Sequence, residues 1–115
     1  MNRQETYDKV RDHLMTQRKP SQKYSHSSEM MMCRYRGSKG RMCAIGCLIP
    51  DELYSSSIEG EIVRKLPADI LAALGVSGPD DAHFLQRLQS IHDDVKPSFW
   101  AESLYEFAES NGLRP

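Results

Sequence analysis

The spacing of apolar residues divides the chain into an N-terminal helix, an apolar middle and a helical C-terminal half. Tyr7, Val10 and Leu14 recur at helical spacing and predict a helix over about Arg3–Arg18. Asn2, followed three residues later by Glu5, makes a capping-box-like start. Lys19-Pro20 stops the helix, because the residue before proline avoids the α region. SQKYSHSSE is polar and serine-rich, so residues 19–29 are expected to form a flexible loop. MMMCRYR and RMCAIGCLI then flank GSKG, which predicts a β-hairpin at about 31–49. With Ser38-Lys39 as a two-residue turn, Arg36 faces Arg41 and Cys33 faces Ala44. That register turns Cys33 away from Cys43 and Cys47. RMCAIGCLI is apolar on both faces, so as a strand it would be covered on both sides. A short buried helix beginning near Cys43 is the alternative.

Beyond Pro50, a helical turn through Asp51, Glu52, Leu53 and Tyr54 is expected. Ile58, Ile62 and Leu66 lie four residues apart and suggest a short helix, which Gly60 weakens. PADILAAL predicts another, with Gly75 as its C-cap. Asp80 or Asp81 caps a longer helix ending near Val95, striped by Phe84, Leu88, Ile91 and Val95. Ser98 should cap the last helix, whose apolar face is Trp100, Leu104, Phe107 and Ala108. Asn111-Gly112-Leu113 is a Schellman-like ending. The expected fold is α+β and mostly α: an N-terminal helix, one hairpin and three or four helices.

Composition narrows the class. The chain of 115 residues fits a single domain, 1–115. No apolar run approaches the ~20 residues that span a bilayer, so no membrane partner is expected. The polar start MNRQETYDKV lacks a signal-peptide core, which points to the cytoplasm. An odd count of three cysteines fits that compartment better than a disulfide framework. Residues 1–49 hold ten basic and four acidic residues, a net +6. Residues 50–115 hold five and twelve, a net −7. The halves either neutralise each other across the fold or mark faces for charged partners.

Four chemistries are conceivable. Cys33, Cys43 and Cys47 could bind zinc with His26, His83 or His92, although the paired C-x2-4-C spacing is missing. Otherwise they are small buried hydrophobes, the usual state of free cysteine. Cys43, His92 and Asp93 could make a cysteine hydrolase or transferase. Asp93 follows His92 directly, so it should leave the helix about 100° away, poorly aimed at the imidazole. A histidine there is more often bonded to a backbone carbonyl. Lys23, Arg34, Arg36, Lys39 and Arg41, with Tyr24 and Tyr35, could bind nucleic acid, against a pI near 6.4. Protein binding is favoured by the adaptable run Met30-Met31-Met32 and by the row Glu102, Glu106, Glu109.

The stretch CRYRGSKGRMCAIGCLIPDELYSSSIEG resembles a pattern found in small proteins of phages, prophages and bacteria. Its marks here are Cys33, Tyr35, Arg36 and Gly37; Cys43 to Tyr54; Glu59-Gly60; Leu88-Gln89 with Ile91, His92 and Asp93; and Trp100. The resemblance implies a bacterial cytoplasmic setting and draws Cys43, Asp51, Glu52, Tyr54, Glu59, His92 and Asp93 together as one cluster. It carries over no catalytic residues. The resulting expectation is a phage-type accessory or host-modulating protein that binds a protein partner, of the host or of the phage, without a cofactor. Its expected binding residues are Arg34, Arg36, Lys39, Arg41, Asp51, Glu52, Tyr54 and Glu59.

Overall fold

A computed structural model describes all of residues 1–115. Helix α1 runs Arg3–Gln17 and opens on a complete capping box. The Asn2 side chain accepts the Glu5 N–H at 2.8 Å, and the Glu5 carboxylate accepts the Asn2 N–H at 3.0 Å. Arg18 ends the helix in the left-handed region, its N–H on the Leu14 carbonyl. Tyr7, Val10 and Leu14 are buried as their spacing predicts, and the Tyr7 hydroxyl donates to the Leu104 carbonyl at 2.9 Å.

The antiparallel hairpin lies upstream of the expected 31–49. Strand β1, Gln22–Ser25, pairs with β2, Met30–Cys33, in the register Gln22↔Cys33 to Ser25↔Met30. The serine-rich stretch is therefore half strand, and only residues 26–29 form the turn. The expected second arm behaves differently. A 3-10 turn at Ser38–Gly40 places Lys39 and Gly40 at positive φ. The only pairing beyond it is one bridge, Arg36↔Met42, so five residues rather than two separate the partners.

CAIGCLI is buried, as expected, but it is not a strand. Cys43, Ala44 and Ile45 have no exposure, and the chain then turns through a 3-10 turn at Gly46–Leu48. The Cys47 N–H on the Cys43 carbonyl gives one helical turn, closer to the buried-helix alternative. Gly46 is required here, since a Cβ would lie 1.9 Å from the Tyr35 carbonyl oxygen. Asp51–Leu53 forms the expected turn after Pro50.

The short helix expected over 58–66 is replaced by two 3-10 turns, Ser56–Ile58 and Val63–Lys65. Gly60 between them sits at φ 85, a conformation that interrupts a right-handed helix. Helix α2, Ala68–Ala73, ends in a Schellman motif with Gly75 at φ 79 and the Val76 N–H on Leu71. Helix α3 spans Pro79–Asp94, with Pro79 in its first turn. Asp81 accepts from Ser77 just upstream rather than serving as the N-cap. Helix α4, Trp100–Ser110, is entered through a 3-10 turn at Pro97–Phe99, and Ser98 makes no cap bond. Gly112 and the Leu113 N–H on Ala108 close it as expected.

The molecule is thus α+β and mostly α. One core holds Trp100, Tyr7, Leu14, Ile45, Leu88 and Leu104, packed between α1, α3, α4 and the 43–49 segment. No helix is long and apolar enough to cross a membrane.

Candidate functional site

Glu59 organises the middle of the chain. It follows the 56–58 turn, and its side chain is only 10% exposed. One carboxylate oxygen accepts the Tyr35 N–H at 2.8 Å. The other accepts the Arg36 N–H at 3.1 Å and the Tyr54 hydroxyl at 2.7 Å, with the Arg34 guanidinium 3.7 Å away. An ionised carboxylate with three such donors makes strong, charge-assisted bonds. Burial, then the hydrogen bond to Glu59, pushes the Tyr54 hydroxyl up from its ordinary pKa. Arg36 donates to the Ile49 carbonyl and forms an ion pair with Asp51, both at 2.8 Å, and lies over the Tyr54 ring at 4.7 Å. Its Nε is buried without a partner.

Five of the eight expected binding residues, Arg34, Arg36, Asp51, Tyr54 and Glu59, therefore meet in one latch. Their polar groups are turned on one another and on the backbone. Lys39 and Glu52 stand exposed outside it. Arg41 contributes its carbonyl, which accepts the Gly37 N–H and the Ser21 hydroxyl.

The His92 ring is buried and stacked on Trp100, with centroids 5.6 Å apart. Its Nε2 accepts the Ser21 backbone N–H at 2.7 Å. The ring proton is therefore on Nδ1, which donates to Asp93 at 2.8 Å. Two expectations fall here. Asp93 does orient the imidazole, because its side chain folds back to the ring despite the 100° step. The backbone partner of His92 is an N–H rather than a carbonyl. Gln89 completes the network, donating to Asp93 at 2.9 Å and accepting the Ile45 N–H at 3.0 Å.

The expected Cys43–His92–Asp93 arrangement is not assembled. His92 and Asp93 are joined, but neither imidazole nitrogen is free to take a thiol proton. Cys43 is buried against the Gly46 N–H, and burial raises its thiol pKa. Burial likewise pushes Cys47 up to about 11, and its thiol donates to the Ala44 carbonyl. Cys33 is raised by burial and then by the nearby Asp93 charge. Activated thiolates need the opposite shift.

The three cysteines do not converge on a metal site either. Cys33, His92 and Asp93 instead place donor atoms within 4.8 Å of one another. The Ser21 N–H on Nε2 requires the proton on Nδ1, the nitrogen that would have to face a metal. Binding there would leave an imidazolate accepting at both nitrogens. The three groups fit a hydrogen-bonded anchor for the hairpin better than a zinc site. His26 packs edge-on against Tyr24, and His83 lies on the exposed side of α3.

Between the hairpin, the 59–62 loop and α3 lies an open cleft of about 360 Å³. One wall is the continuous run Met31 to Tyr35; Glu61, Gln86 and Asp94 face it. The sequence reading missed Glu61 and Asp94, and only the period of α3, which sets Gln86, Gln89 and Asp93 on one face, hints at this wall. Four carboxylates border the cleft, Glu59, Glu61, Asp93 and Asp94, against one base, Arg34. Glu61 and Asp94 have no ion-pair or hydrogen-bond partner on their side chains. Comparison of the chain with protein-family models, with curated proteins and with solved structures finds no match.

Proposed function

We propose that the chain acts by binding another protein, as a small accessory or host-modulating factor of the phage type. The observation that carries this reading is strand β2. Met30, Met31 and Met32 are 55%, 51% and 46% exposed on one strand of a two-stranded sheet. Exposed edge strands are usually guarded by charge, proline or a covering element. Three adjacent methionines are a surface that repacks around a partner. The remaining candidate chemistry is committed internally. His92 and Asp93 anchor the hairpin, while Arg34 and Arg36 are held by Glu59 and Asp51. That commitment weakens both the cysteine-enzyme and the nucleic-acid alternatives.

The test is photocrosslinking from a benzophenone side chain at Met31, with exposed Glu109 on α4 as control. A discrete protein adduct from Met31 alone is expected. An adduct destroyed by nuclease would transfer the reading to nucleic acid, and equal yields from both positions would sink it.

A further inference from the structure

We infer that the cleft takes an extended, basic segment of the partner, added to β2 as a third strand. The inference rests on the protein-binding reading above. The ladder shows which backbone groups are available. The Arg34 N–H donates to the Ser21 carbonyl at 3.0 Å, so 21/34 is a hydrogen-bonded pair. Alternation along an antiparallel ladder makes 23/32 and 25/30 the next bonded pairs. Met31 and Cys33 therefore turn their N–H and C=O groups away from β1, and their backbones make no bond outside the hairpin. The cleft borders that edge: its wall is Met31 to Tyr35, and it includes no residue of β1.

Charge selects the occupant. The opposite wall presents Glu61 and Asp94, both exposed and unpaired, while Arg34 is already held by Glu59. An acidic segment would meet uncompensated repulsion there. A segment with Lys or Arg at alternate positions would place its basic groups on one side, as strand geometry dictates. Main-chain bonds to Met31 and Cys33 would supply affinity, and the carboxylates would select the sequence. Cys33 gives the site a reporter, because its partly exposed side chain lies inside the cleft.

The full chain, labelled with 15N, is titrated with two capped hexapeptides, alternating Val-Arg and alternating Val-Glu. The Val-Arg peptide should shift the Met31 and Cys33 amides, slow their exchange and protect Cys33 from alkylation. Glu61→Gln with Asp94→Asn should weaken it about fivefold, the effect of losing two exposed ion pairs. Neither side chain holds a structural bond, so the double variant should fold. Equal binding of the Val-Glu peptide overturns the charge argument. Shifts confined to another face overturn the location. Binding of neither peptide overturns strand addition, and so does concentration-dependent dimerisation that shifts the same two amides. In each of these cases a protein adduct from Met31 leaves the general reading standing, and its absence removes both.

Discussion

At the residue scale the molecule depends on side chains that satisfy distant backbone. Glu59 is the clearest case, since its donors at positions 35 and 36 lie more than twenty residues upstream. Glu59→Ala would leave two amide donors and the Tyr54 hydroxyl without their acceptor. The expected cost is about 3 kcal/mol, near the upper end for polar groups stranded away from water. Glu59→Gln keeps one good acceptor and should cost about half of that. Urea unfolding of the two variants checks the order, and equal stability of Glu59→Ala and the parent would remove the latch from the account. Nothing local marked Glu59 for this task. Likeness to a pattern groups it with Cys43, Asp51, Glu52, Tyr54, His92 and Asp93, and by charge it looks like a surface ligand. The fold turns the same group inward.

At the element scale, legibility followed the kind of signal each segment carries. Helices with an apolar stripe, α1, α3 and α4, could be placed within a few residues, although only α1 carries its expected N-cap. The hairpin existed but was displaced. β1 reads QKYS because a small two-stranded sheet half-exposes both its faces, so no alternation of apolar residues is imposed. GSKG has hairpin composition yet forms a wider 3-10 turn, and CAIGC is apolar because it is buried in a turn against Tyr35. Burial was readable from composition, and conformation was not. The anchor of this hairpin gives an element-level prediction. His92→Leu leaves the Ser21 N–H without its acceptor and the Asp93 carboxylate with Gln89 alone. Stability should fall by about 2–3 kcal/mol. Amide exchange should accelerate first at Ser21 and through β1 and β2, because the hairpin loses its tie to α3. Uniform acceleration over all elements would mean that His92 acts only through the core.

At the scale of the whole molecule, the opposed charges of the two halves meet across the fold. Arg3 pairs with Asp81, Arg34 with Glu59 and Arg36 with Asp51, each pair joining the basic half to the acidic one. These contacts take up part of the asymmetry, while Glu61 and Asp94 remain over for the cleft. A second global property concerns weak acids. Tyr7, Tyr35, Tyr54, Cys33, Cys43 and Cys47 all have raised pKa values, and in each the largest cause is burial. The folded chain holds these groups protonated, whereas the unfolded chain releases thiol protons near pH ~8.5 and phenol protons near ~10. Above those values the unfolded state binds fewer protons, so stability falls as pH rises. The contribution of Cys47 is intact below the ordinary thiol value and is lost by about 11. The fully buried Cys43 keeps contributing to the decline beyond that, at up to about 1.4 kcal/mol per pH unit. The urea midpoint should thus be level up to about pH 8 and then descend, and Cys47→Ala should flatten the first part of the slope between the two thiol values. A midpoint unchanged to pH 11 would contradict the burial of these thiols, and with it the placement of CAIGC in the core.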